Sequence, residues 1–395
     1  MHGSCPRTVA LAGRGRYRIR MRIVVTGQVG LDKKPFLDRV AKIARDQGHE
    51  TTVCNIGQMM YAEAPDVAPG RILDLSLSRL NSLRRSVFKD VLAACASHAP
   101  GDAATHLIVN THATFRWRHG LFFAFDYDQM QALAADLYIT LVDNVDRLHY
   151  RLVRDGHVDH TLKDLMVWRE EEILATEMLS QVVRGHGAFY VMARTDADST
   201  AEAVARLFCR PRMRKAYLSF PMSHVNDSPE LLEQIAEFQR QMKRHLTCFD
   251  PGDLDEKDLG ELALRAAEGG HRTVHAGPPD EQAVMDTNQI IDIIPDIDGQ
   301  IYARDFKLID QADMIVSLIP TLPDGRPGLS SGVERELQHA HEAAKDVFVI
   351  WTPRIEPSPF ITETATAVFR STPDAVRFLL DSGYSDTPPA GALFA

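Results

Sequence analysis

Short β-branched runs alternate with longer amphipathic stretches along this chain, and the alternation starts twice. Residues 22–26 (RIVVT) read as a strand; glycines follow, and then a helical pattern, FLDRVAKIARDQG, closed by a glycine. Residues 51–55, 106–110 (HLIVN) and 137–142 (LYITLV) read as further strands, and 189–192 (FYVM) as the last of this set. Helical stretches at 76–96 and 162–183 stand among them. Strands separated by helices predict a parallel sheet with crossover connections. The pattern restarts with strand 216–220 and helix 229–246. It resumes with helix 304–311, strand 314–319, helix 332–344 and strand 347–351. Between the two stretches, 250–296 is rich in Gly, Pro and acids, with one helix-like stretch at 259–268, and reads as a long loop or insertion.

The expected organisation is therefore an α/β chain of two domains. Residues 1–20 read as a disordered extension, 21–197 as a P-loop α/β domain and 198–214 as a linker. Residues 215–383 read as a second α/β domain and 384–395 as a disordered tail. A length of 395 residues suits two domains of ordinary size. At 45% hydrophobic and 25% charged, the composition allows a normal core. A net charge of −10 argues against general nucleic-acid binding, which needs a basic surface. No apolar run approaches the ~20 residues of a membrane span. The five cysteines are widely spaced with no CxxC pair, which fits free thiols in a reducing compartment and no zinc site. These points together predict a cytoplasmic protein whose partner is a small molecule, not a nucleic acid or a membrane.

Two constellations carry chemistry. The first is Gly27-Gln28-Val29-Gly30-Leu31-Asp32-Lys33-Lys34, placed after a strand and before a helix. In the pattern GxxxxGK[ST], backbone amides cradle phosphates, the lysine reaches the terminal phosphates and the hydroxyl holds Mg²⁺. Gly27, Gly30 and Lys33 fit, whereas Asp32 replaces a glycine and Lys34 replaces the hydroxyl. With residues 55–59, the run Asn110-Thr111-His112-Ala113 and the lid-like stretch 151–155, this half resembles an adenylate kinase of the archaeal type. The resemblance implies a kinase-like parallel sheet, ATP or another nucleotide as ligand, and Arg151 and Arg154 as lid arginines. Positioning and charge neutralisation make up most of phosphoryl-transfer catalysis, so loss of the Mg²⁺ hydroxyl predicts a nucleotide-binding but kinase-impaired domain.

The second constellation has three pieces in order. They are Tyr217-Leu218-Ser219-Phe220-Pro221-Met222, Arg304-Asp305 followed by Ile309 to Val316, and Ser330-Ser331-Gly332-Val333-Glu334-Arg335-Glu336-Leu337. The first is a strand end opening into a turn, where α/β folds bind ligands. The third places small residues at a helix N-terminus, which suits an anion, and Glu336 about one turn inside. Such a carboxylate can attack an anomeric carbon, with Asp305 as its partner for orientation or proton transfer. These strings are similar to those of the nucleoside 2-deoxyribosyltransferase family, and most to its branch of 2'-deoxynucleoside 5'-monophosphate N-hydrolases. The resemblance covers about 216–222 and 301–352. It implies a flavodoxin-like sheet, a covalent glycosyl intermediate on Glu336, a carboxylate role for Asp305 and a 5'-phosphate contact at Ser330. Tyr217, Ser219, Pro221, Met222, Ser331 and Gly332 would complete the substrate site. No metal or cofactor is implied for glycosidic cleavage, and a homodimer is implied by the oligomeric habit of the family. Phe220 departs from a usual glycine, which predicts a reshaped pocket near the base.

The function expected is a nucleotide N-glycosidase, a base-releasing hydrolase or deoxyribosyltransferase. The alternatives are a nucleoside monophosphate kinase whose C-terminal domain only binds nucleotide, and a non-catalytic nucleotide sensor.

Overall fold

The computed structural model describes residues 17–68, 70–96, 103–117, 120–157, 159–195, 198–222 and 228–384. The chain forms two compact units, one of Met1–Ala201 with Glu256–Asp296, the other of Glu202–Asp255 with Ile297–Ala395. Each is built on a five-stranded parallel sheet flanked by helices.

In the first unit β1 (Tyr17–Thr26), β2 (Thr51–Asn55) and β3 (Ala103–Asn110) are followed by an antiparallel hairpin, β4 (Thr114–Trp117) with β5 (Gly120–Phe123). Strands β6 (Leu137–Val142) and β7 (Phe189–Ala193) complete the sheet, in the order β2-β3-β1-β6-β7. The central strands are apolar on both faces because helices cover both, as the unbroken run Ile23, Val24, Val25 records. Strand β1 begins at Tyr17, so residues 17–20 belong to the sheet and not to the expected extension; residues 1–16 lie outside the described residues. The alternation Tyr-Arg-Ile-Arg-Met-Arg is a period-two strand signal that the arginines obscure.

Two boundaries need correction. The expected linker 198–214 is mostly the helix Asp198–Cys209. The expected loop 250–296 is structured, with a helix Lys257–Glu268, a hairpin of β10 (Thr273–Ala276) and β11 (Ala283–Asp286), and the start of a helix Thr287–Asp310. Pro295 and Gly299 break the sequence signal of that helix, but Ile290, Ile293 and Ile297 at helical spacing are buried and outweigh propensity. Residues 256–296 complete the first unit through two buried ion pairs. Arg169 forks onto Glu256 at 2.8 and 2.9 Å, and Arg151 forks onto Glu281 at 2.9 and 2.7 Å.

In the second unit β8 (Lys215–Ser219), β9 (Thr247–Phe249), β12 (Met314–Ile319), β13 (Asp346–Trp351) and β14 (Ala367–Phe369) lie in the order β14-β13-β12-β8-β9. Renumbered within the unit this is 2-1-3-4-5, the flavodoxin-like order, with its switch point between β8 and β12. Leu218, Val316, Phe348 and Phe238 fill one layer of its core. Tyr384, placed in the expected tail, is ordered here: its ring meets Phe348 and its hydroxyl donates to Asp346 at 3.0 Å. Residues 385–395 lie outside the described residues.

Candidate active site

The switch point of the second unit holds a carboxylate. Tyr217 and Ser219 are two residues apart on β8, so both side chains project from one face. Parallel pairing sets Ser219 level with Ser317 on β12. The helix Ser331–Glu342 follows β12 and buries Val333, Leu337 and Ala340. Glu336 stands three residues from Val333 and four from Ala340, on the face turned to the sheet. Its Oε1 accepts from the Tyr217 hydroxyl at 3.0 Å and its Oε2 from the Ser219 hydroxyl at 2.6 Å. Ser317 in turn donates to Ser219 at 3.3 Å. Tyr217, Ser219 and Ser317 are all fully buried.

Burial pushes the Glu336 carboxyl up to about 7. The Ser219 and Tyr217 hydrogen bonds oppose the rise, and the charge of Asp305 adds to it. Asp305 lies on the helix Thr287–Asp310, and burial raises it to about 6 against the pull of Arg304. Its Oδ1 is buried and has no hydrogen-bond partner among the described residues. Tyr217 is driven well above its ordinary range by burial and by the Glu336 and Asp305 charges. The site thus presents two carboxyls titrating near neutrality, one clamped by two hydroxyls and one with a free acceptor.

Ser330, Ser331 and Gly332 stand at the start of the helix Ser331–Glu342, where they were expected. The Ser330 hydroxyl accepts from the Val333 amide at 3.2 Å and so caps the helix. Ser331 and Gly332 are exposed in the first turn, Pro221 is buried and Met222 is 37% exposed. Ser219 was expected among the substrate contacts, but its proton is committed to Glu336. The Phe220 ring packs against Phe238, with centroids 6.4 Å apart, in the core. Ser317 escaped the sequence reading, although a lone hydroxyl in the apolar strand MIVSLI was a usable signal.

In the first unit the loop 27–34 keeps its expected place between β1 and the helix Lys33–Asp46. Gly27 (φ 139°) and Gly30 (φ 86°) hold positive φ, and a Cβ on Gly27 would stand 2.6 Å from the Leu141 carbonyl. Asp32 adopts φ 47°, the left-handed region that aspartate tolerates better than most residues. Lys33 folds inward: its Nζ donates to the Gly27 carbonyl at 2.6 Å and lies 3.1 Å from His112 Nδ1. Burial lowers Lys33 to about 7, with Glu172 opposing the fall. Both expected lid arginines are paired with carboxylates. Arg151 is fully buried between Asp143 (2.6 Å) and Glu281, and Arg154 pairs with Asp32 at 3.1 Å and with Asp155 at 2.8 Å. Glu172, which sequence reading missed, takes the amides of Gly27, Ala113 and Thr114 together with the Thr114 hydroxyl.

No protein-family model matches the chain, and no curated protein does. Among solved structures, phosphoglycerate kinase from Coxiella burnetii is similar over 93% of this chain and 95% of its own, at 12% identity and a TM-score of 0.18. No helix among the described residues is long and apolar enough to cross a membrane.

Proposed function

We propose that the second unit cleaves the N-glycosidic bond of a nucleoside 5'-phosphate, with Glu336 as nucleophile and Asp305 as the proton donor and acceptor. The observation that carries this reading is the Glu336 carboxylate, clamped by Tyr217 and Ser219 at the switch point beside a raised Asp305 with an unpartnered oxygen. With the pair's single proton on Asp305, a carboxylate oxygen of Glu336 attacks C1', the C1'–N bond breaks, and its electron pair leaves with the base. The base takes the Asp305 proton. Water then attacks C1', gives a proton to Asp305 and frees Glu336, releasing a 5-phosphosugar. A second base in place of water would make the reaction a transfer. The amides at the start of the helix Ser331–Glu342 suit the 5'-phosphate.

The first unit is proposed to bind a nucleotide without efficient phosphoryl transfer. A kinase reading loses support from Lys34 in the place of the metal hydroxyl and from Arg151 and Arg154, which are spent on carboxylates. The test is chromatography of base released from a panel of ribo- and deoxynucleotides, comparing wild type with Glu336→Ala. Free base from the wild type alone is expected. No base from any nucleotide, with or without an acceptor base, would reduce the site to a binding pocket.

A further inference from the structure

The P-loop kinase fold implies a nucleotide carried with Mg²⁺. That ion is held by the hydroxyl after the loop lysine and by an acid at the end of a neighbouring strand. The residues here do not fit it. Lys34 stands in the hydroxyl's place and pairs with Asp38 at 2.5 Å. At the end of β3, beside β1, stands Asn110, a neutral amide. Mg²⁺ is a hard cation that relies on carboxylates, phosphates and water, and an ammonium beside it adds repulsion.

The place is nevertheless shaped to receive a ligand. A cavity of about 420 Å³ opens against the loop, within the usual range of small-molecule sites. Met60, Ile72, Leu80 and Phe115 give it an apolar wall, and Lys33 and Asn110 line it too. Asn110 is 6% exposed, and its Oδ1 has no hydrogen-bond partner among the described residues. A buried acceptor left without a partner is costly, and a ligand donor would remove that cost. Arg84 lines the same cavity, its guanidinium 5.1 Å from the centre of the Phe115 ring.

We infer that this cavity takes a nucleoside monophosphate without a divalent cation, its phosphate on the loop lysines, its base against the apolar wall and a donor group on Asn110. The inference rests on the nucleotide-binding reading of the first unit. Charge sets the limit at one phosphate. A phosphate monoester brings about −1.5 to −2, which Lys33 and Arg84 can meet, joined by Lys34 once it leaves its exposed pair with Asp38. Arg151 and Arg154 are already held by Asp143, Glu281, Asp32 and Asp155. Asp32, where the phosphate loop ordinarily has glycine, places a carboxylate, shared with Arg154, beside any further phosphate. Lys33, held near neutrality by burial, would take up a proton as the phosphate arrives.

The test is calorimetry with hydrogen exchange on the full chain carrying Glu336→Gln, so that the second unit turns nothing over. AMP, GMP, CMP, UMP and ATP are each added with Mg²⁺ or with EDTA. At least one monophosphate is expected to slow exchange at residues 27–34 and 110–112, with affinity changed less than about threefold by EDTA, and ATP is expected to bind about tenfold more weakly or worse. Lys33→Met should abolish this protection while leaving any binding by the second unit. The pair Lys34→Thr and Asn110→Asp should install Mg²⁺-dependent ATP binding; a folded double variant that behaves as the parent overturns the metal argument. Protection by ATP with Mg²⁺ but by no monophosphate would leave the nucleotide reading standing and remove this one. Protection by none of these ligands would remove both.

Discussion

Ser219 and Tyr217 hold the same carboxylate by bonds of different strength. The serine bond is the shorter, 2.6 against 3.0 Å, and Ser317 stands behind it. A hydrogen bond to a charged group contributes about 1.5–3 kcal/mol. Its loss in Ser219→Ala would therefore raise the Glu336 pKa from about 7 by roughly one unit or more. The acid limb of the pH–rate profile for base release should move up by that amount, and the rate at pH 7 should fall roughly fivefold or more. A profile that keeps its acid limb would show that Ser219 only fills space. Glu336→Gln makes a second prediction, about stability. The carboxyl is raised in the folded state above its usual 4.5, so the fold gains from protonation. That gain is fully present below about 4.5 and is lost as the pH rises through about 7. Replacing the acid by its neutral amide should abolish base release yet stabilise the protein at pH 8, by about 1–3 kcal/mol after allowance for partial exposure. At pH 4 the two melting temperatures should nearly coincide. A variant that melts lower than wild type at pH 8 would contradict this.

Elements differ in how far their own residues announce them. The strand 137–142 and the strand 314–319 were legible to the residue, because a short run of apolar and β-branched residues, broken in the second only by Ser317, has few other readings. The helix Ser331–Glu342 was legible from its small N-terminal residues, and with it the place of Glu336. The pairing of Glu336 with Tyr217, 119 positions away, followed only from the strand order. The helix Thr287–Asp310 was hidden by Pro295 and Gly299. Arg151 was misread for a different reason: a lid arginine and an arginine buried between two acids have the same local sequence, and only Glu281, 130 positions on, separates them. Its structural role is testable. Arg151→Ala would leave Asp143 and Glu281 without their shared cation, at a cost of about 3–5 kcal/mol. Lysine should rescue it only in part, because an ammonium lacks the planar pair of N–H donors that Arg151 lays on Glu281 while a third reaches Asp143. Urea unfolding should show a lowered midpoint in both variants, and a midpoint unchanged in Arg151→Lys would return the residue to a functional role.

At the scale of the whole molecule, the chain leaves the first unit after Ala201, re-enters it at Glu256 and leaves again after Asp296. The first unit is therefore discontinuous in sequence, and its second segment supplies charges that its first segment has already buried. Arg169 is 4% exposed and meets Glu256; Arg151 is fully buried and meets Glu281. A fragment ending at residue 214, the boundary that sequence periodicity suggests, would keep both arginines and lose both acids. Breaking a buried pair by removing one partner costs about 3–5 kcal/mol, and a whole domain is stable by only about 5–15. Arg151 keeps Asp143, so the fragment loses the Glu256 pair outright and the Glu281 half of the other, together a large part of that margin. Residues 1–214 expressed alone should therefore show no cooperative melt by circular dichroism. The same fragment joined through a flexible linker to residues 256–296 should recover one, and Glu256→Ala with Glu281→Ala in the joined form should abolish it again. A cooperative melt of 1–214 alone, at the temperature of the joined form, would mean that the two arginines find other partners and that residues 256–296 are an ornament on a unit already complete.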